Sequence, residues 1–146
     1  LGTMITAQAA DTIDGTVVSG TYKRSTNGGR RRGLKSPAGG AWEKLSDGTY
    51  KYHFAEGLEA TDYWLEIDGT WYYFGHDNIM QTGWVKDDGN WYYMDLETGA
   101  LFTGWHEISG KWYYFHEEGD GFKGTLMVNC ETPDGYTVDV NGALVE

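Results

Sequence analysis

Trp84-Val-Lys-Asp-Asp-Gly-Asn-Trp91-Tyr92-Tyr93-Met94 is the stretch from which the fold can be read. It opens on a tryptophan, breaks at Asp88-Gly89 and continues into an aromatic run of high β propensity. That order is the signature of a β-hairpin, because Asp-Gly accepts the positive φ angles of a tight turn and aromatic side chains suit a pleated surface. Strand alternation sends Trp91 and Tyr93 to one face and Tyr92 and Met94 to the other, so one face can be core and the other a site.

The stretch recurs on both sides. Trp64-Leu-Glu-Ile-Asp-Gly-Thr-Trp71-Tyr72-Tyr73-Phe74 precedes it, and Trp105-His-Glu-Ile-Ser-Gly-Lys-Trp112-Tyr113-Tyr114-Phe115 follows it. The tryptophans form two interleaved series, 42, 64, 84, 105 and 71, 91, 112, each advancing by about 20 residues. Trp42-Glu-Lys-Leu-Ser-Asp-Gly-Thr-Tyr50-Lys-Tyr52 is a looser first copy, and Asp134-Gly135-Tyr136-Thr137-Val138 with Gly142-Ala-Leu144 is a truncated last one. An isolated two-stranded hairpin is marginal in water, so the units must stack and bury aromatic faces between neighbours. The expected fold is all-β: tandem β-hairpin repeats stacked into a solenoid, with helix nearly absent. Strands are predicted near 63–67, 71–75, 84–87, 91–95, 104–108 and 112–116. Gly69, Gly89 and Gly110 are assigned to turn geometry.

Working outward, the aromatic content divides the chain of 146 residues in two. Of its 23 aromatic residues only Tyr22 precedes residue 41. Residues 1–40, rich in Gly, Ser, Thr and Arg, offer too few apolar side chains to offset the entropy of ordering them. They are read as a poorly ordered leader or linker in which Thr16 to Tyr22 could form one short strand. This leader carries six cations and two anions, whereas residues 41–146 carry five cations and 20 anions. An array so acidic repels nucleic acid and anionic lipid, and no apolar stretch approaches the ~18 residues of a membrane-spanning helix.

Catalytic chemistry is not expected. With so many carboxylates some pair always looks suggestive, so paired Asp or Glu carry no weight. His53, His76, His106 and His116 lack metal-ligand spacing and read as exposed loop or turn residues. Asp87-Asp88-Gly89 lacks the alternating ligands of a calcium loop. Cys130, the single cysteine, excludes an internal disulfide and reads as either buried or a site of intermolecular pairing. No metal and no cofactor are expected.

The repeats resemble the cell-wall-binding, or choline-binding, repeat family, whose pattern is close to Gly-Trp, a short charged stretch, Gly, Trp-Tyr-Tyr, a loop, an apolar residue and Thr-Gly-Trp. Gly83-Trp84 through Thr103-Gly104-Trp105 follows it nearly residue for residue, and the resemblance covers about residues 41–146. It implies a left-handed solenoid of hairpins and a secreted, non-catalytic module of Gram-positive cell surfaces that recognises choline-bearing teichoic acid. Similar repeats of glucosyltransferases and clostridial toxins bind glucans or other oligosaccharides, which makes a glucan or oligosaccharide the alternative ligand; a structural array mediating protein contacts is a third reading.

The physical chemistry agrees with a quaternary ammonium, since a permanent cation without hydrogen-bond donors is best held by aromatic faces, each contributing ~0.5–2 kcal/mol. By position in the family pattern, the resemblance points to Trp71, Trp84, Tyr93 and Met80 for one site and Trp91, Trp105, Tyr114 and Leu101 for the next. A further site would use Tyr50, Trp64 and Tyr73.

Overall fold

A computed structural model describes residues 39–55, 57–61, 63–117 and 123–146, together with the backbone of 12–13, 16–17, 23–27 and 31–35. Among these residues there is no helix. The chain divides into two compact units, the first formed by Leu1–Ser25 with Arg32–Gln81 and the second by Thr26–Arg31 with Thr82–Glu146.

In the leader, β1 (Thr12–Ile13) pairs antiparallel with β2 (Thr16–Val17). The expected strand over 16–22 is therefore present at its start, and residues 18–22 lie outside those described. β3 (Lys23–Asn27) and β4 (Arg31–Lys35) follow.

The first unit then contains two hairpins. β5 (Ala41–Lys44) pairs with β6 (Tyr50–His53), and β7 (Tyr63–Ile67) with β8 (Thr70–Phe74). β4 runs parallel to β7, with Leu34 opposite Leu65 and Lys35 opposite Glu66. The core of this unit gathers Tyr52, Phe54, Ala60, Leu65, Ile67, Phe74 and Met80.

The second unit holds three pairs: β9 (Gly83–Asp87) with β10 (Asn90–Met94), β11 (Gly104–Ile108) with β12 (Lys111–Phe115), and β13 (Cys130–Glu131) with β14 (Thr137–Val138). Its core includes Tyr93, Ile108, Phe115 and Leu126, with Phe102 and Tyr113 packed against it. The strands match the expected ranges to within a residue. The β9–β10 turn shows why: Asp88 and Gly89 have φ of 53° and 82°, the two left-handed positions that let a two-residue loop follow the strand twist.

After β8, β10, β12 and β14 the chain returns with one apolar residue that bridges the end of that strand, whereas Glu59 bridges His53 after β6. Met80 meets Phe74, Leu101 meets Met94, Leu126 meets Phe115 and Leu144 meets Val138. Three of these residues also stitch back to the preceding hairpin through their amide groups. Met80 N–H donates to the Tyr50 carbonyl, Leu126 N–H to that of Trp91 and Leu144 N–H to that of Trp112, each at 2.8 Å. Backbone donors that would otherwise lack partners in a connecting loop thus tie repeat to repeat.

Two expectations for single residues are corrected. His53 lies in β6 and His106 in β11, both half-buried rather than on exposed loops. His53 Nε2 is 2.6 Å from Glu43 Oε1, and the His106 ring stacks on Phe102 at 3.7 Å. The cross-strand and stacking neighbours of a pleated surface hold both imidazoles. Cys130 is exposed on β13.

Candidate functional site

Trp84 projects from β9, and Tyr93, directly opposite on β10, braces it with ring centroids 5.1 Å apart and planes at 81°. Trp91, on the diagonal, stands perpendicular to Trp84 at 6.1 Å. The next hairpin supplies Tyr113, whose ring meets Trp84 edge to face at 5.1 Å, with Phe115 behind it at 5.9 Å. Leu126, placed by its amide stitch to Trp91, closes the arrangement. Trp84, Trp91, Tyr113 and Leu126 line, with Val128, Val140 and Asn141, a hollow of about 420 Å³, within the ~300–1,000 Å³ of small-molecule sites. Trp84 and Trp91 remain 39% and 41% exposed. Large indole faces left open around a concavity form an apolar surface for contact with a ligand.

The same construction recurs one repeat later. Trp105 and Trp112 come from β11 and β12, Tyr136 stands perpendicular to Trp105 at 5.8 Å, and Leu144 is fixed by the hydrogen bond its amide N–H donates to the Trp112 carbonyl. These four line a second hollow of about 400 Å³, and Asp134 joins them in its wall. The Trp105 indole N–H donates to Asp134 Oδ2 at 2.8 Å, and the Thr132 hydroxyl donates to Asp134 Oδ1 at 2.6 Å. The Thr132 hydroxyl bond, followed by the Trp105 bond, holds the Asp134 carboxyl below its ordinary value of 3.8. The carboxylate is therefore charged at neutral pH.

In the first unit Trp42, 39% exposed, meets Tyr72 of the following hairpin at 4.9 Å and Tyr50 of its own at 6.2 Å. Tyr52 braces it at 5.2 Å and Phe74 at 5.9 Å. Tyr50 here takes the place held by Trp91 and Trp112 in the other two arrangements, and Met80 makes the amide stitch.

The structure brings some members of the sequence-based groupings together and separates others. Of Trp71, Met80, Trp84 and Tyr93, the first two lie in the first unit and the last two in the second. Trp71 and Met80 are buried. Trp84 and Tyr93 do meet, but Tyr93 acts as the brace behind Trp84 within one hairpin. Trp91 is grouped with Trp84, Tyr113 and Leu126 instead of with Trp105, Tyr114 and Leu101. Tyr114 braces Trp105 at 5.2 Å, and Leu101 bridges Met94. Trp64 is buried against Tyr73 at 4.8 Å, whereas Tyr50 joins Trp42.

The members of these arrangements that the sequence reading did not name for a site are Trp42, Tyr72, Trp112, Tyr113, Leu126, Asp134, Tyr136 and Leu144. The strand alternation contained the signal for the tyrosines. The second Tyr of each Trp-Tyr-Tyr run faces its own hairpin's Trp, so only the first remains for a neighbour.

The family profile of the choline-binding repeat matches residues 60–103 and 102–133. Among solved structures, choline binding protein F from Streptococcus pneumoniae, crystallised with a peptidoglycan analogue, superposes with a TM-score of 0.64 at 28% identity. The match covers 91% of this chain and 42% of that protein, so the chain spans about two fifths of its length. The choline binding domain of Spr1274 in Streptococcus pneumoniae is 38% identical, over 60% of this chain and 96% of that domain, with a TM-score of 0.51. The pneumococcal cell wall endolysin from phage Cp-1, complexed with choline, is 26% identical over 90% of this chain and 41% of its own, with a TM-score of 0.50. No curated protein sequence matches.

Proposed function

The chain belongs to the choline-binding repeat family, and on that premise we propose that residues 41–146 form a non-catalytic binding array that holds choline-type cations in aromatic cages between consecutive hairpins. The observation that carries this reading is the Trp84 arrangement: three aromatic rings from two hairpins, with Leu126 closing the fourth side around an open hollow. A trimethylammonium group has no N–H to donate and is too large for a single carboxylate to desolvate favourably. The electron-rich faces of several rings attract it without requiring it to exchange water for a hydrogen bond. The Trp105–Trp112–Tyr136 and Trp42–Tyr50–Tyr72 arrangements supply further cages of the same design. Residues 1–40 are a leader outside this machinery.

A module of this kind would attach its parent chain to choline-bearing teichoic acid of a Gram-positive envelope, as a secreted, surface-associated protein. Exposed indole faces also stack on the apolar faces of sugar rings, and the partial exposure of Trp84, Trp91 and Trp112 supports glucan as the second reading. Titration of tryptophan fluorescence with choline, phosphocholine and α-glucan oligosaccharides separates the two. Saturation by choline on the order of millimolar, with no response to glucan, supports the cation cage. A response to glucan alone would replace it with the glycan platform, and a response to neither would leave a structural array.

A further inference from the structure

The two cages of the second unit are built alike but are charged differently. In the Trp84 cage, Lys86 lies directly across the β9–β10 ladder from Trp91, and its Nζ sits over the Trp91 ring at 5.7 Å. One cage wall therefore already carries an ammonium group. In the next hairpin Glu107 takes the equivalent place opposite Trp112. The Trp105 cage also has the Asp134 carboxylate in its wall, fixed by the Trp105 indole and the Thr132 hydroxyl. A carboxylate uses two of about four acceptor positions in those bonds and keeps its full charge.

We propose that Asp134 is a specificity-determining residue that makes the Trp105–Trp112 cage more selective for cations over neutral ligands of the same shape than the Trp84–Trp91 cage, which has Lys86 on its wall. This rests on the cation-cage reading of the array. Asp134 performs two tasks. Its hydrogen bond orients the Trp105 ring, and its charge adds an attraction that a neutral ligand of the same shape cannot receive. The attraction acts at a solvent-exposed group, so it is modest and falls with added salt.

The experiment is a titration of the whole chain followed by nuclear magnetic resonance of the tryptophan indole N–H groups, which reports Trp84 and Trp91 separately from Trp105 and Trp112. The probes are choline and its neutral isostere 3,3-dimethylbutan-1-ol. In the parent protein the Trp105–Trp112 signals are expected to saturate at lower choline concentration than those of Trp84–Trp91. Asp134→Asn keeps a carbonyl oxygen for the Trp105 indole and removes the charge. It should weaken choline at the Trp105 cage by about fivefold and leave the isostere and the Trp84 cage unchanged. Lys86→Gln should tighten choline at the Trp84 cage alone, which supplies an arm independent of the folding of the Asp134 turn.

Equal loss of choline and isostere in Asp134→Asn would overturn the proposal, because Asp134 would then only position the indole. So would an unchanged choline response at Trp105 and Trp112; in that case the cage reading stands as long as choline still shifts the indoles. If choline shifts no indole signal in the parent protein, the cage reading fails and the proposal fails with it.

Discussion

At the scale of the residue, Trp84 is the ring on which two hairpins converge: it touches Trp91 and Tyr93 of its own and Tyr113 and Phe115 of the next. Trp84→Ala is expected to weaken choline binding at that cage by ~1–2 kcal/mol, the share of one aromatic wall, and Trp84→Phe by less. A thermal melt of both variants, run beside the titration, separates loss of the wall from loss of packing. If Trp84→Ala melts as the parent does and binds choline as tightly, the cage assignment is wrong. The tryptophans were legible in the sequence because the period of about 20 residues set them apart. Their tyrosine partners needed one further step, the strand alternation that sends neighbouring tyrosines of one Trp-Tyr-Tyr run to opposite faces. Tyr93 and Tyr114 brace the tryptophans of their own hairpins, whereas Tyr113 and Tyr136 reach the tryptophans of the preceding ones. Asp134 was hidden for another reason: turn-forming Asp-Gly pairs occur throughout the chain, and only the fold shows that this one reaches Trp105.

At the scale of the element, the glycines separate two kinds of constraint. Gly89 has φ of 82° and open space where a Cβ would stand, whereas Gly142 has φ of 87° and would place a Cβ 2.7 Å from the side chain of Leu126. Gly89→Ala should therefore lower stability by ~1–2 kcal/mol, the strain of a left-handed alanine, with choline affinity unchanged. Gly142→Ala should destabilise by at least as much and also weaken the Trp84 cage, because Leu126 must move from its place in the wall. Denaturant unfolding paired with choline titration checks both, and equal binding by the two variants would show that Leu126 is not part of the site. The hairpins themselves were fully legible, because turn chemistry and strand alternation agree within each one. The return segments were not. Met80, Leu126 and Leu144 are single apolar residues in loops of unequal length, and their stitches to Tyr50, Trp91 and Trp112 span 30 residues or more of sequence.

At the scale of the whole molecule, the aromatic inventory and the opposite charges of leader and array predict that a chain starting at Gly40 keeps its choline affinity. Its melting temperature should fall, because the Leu34–Leu65 and Lys35–Glu66 pairings on β7 are lost. A loss of affinity greater than about tenfold, read by calorimetry, would place leader residues in a site. A different outcome follows from trimming the other end, since every cage is completed by chain that comes later. Trp105 and Trp112 wait for Tyr136 and Leu144, whereas Trp84 and Trp91 already have Tyr113 and Leu126. Ending the chain at residue 129 should remove the Trp105 site from the calorimetric stoichiometry, weaken the Trp84 site, which loses Val140 and Asn141 from its lining, and leave the Trp42 site unchanged; loss of all three or of none would refute this order of assembly. On a surface that displays many choline groups, each site beyond the first strengthens attachment through effective concentration rather than new contacts, by on the order of a hundredfold. On the cage reading, a cut before residue 130 therefore acts as a dial on avidity, lowering the number of sites that engage such a surface at once without touching the Trp42 arrangement.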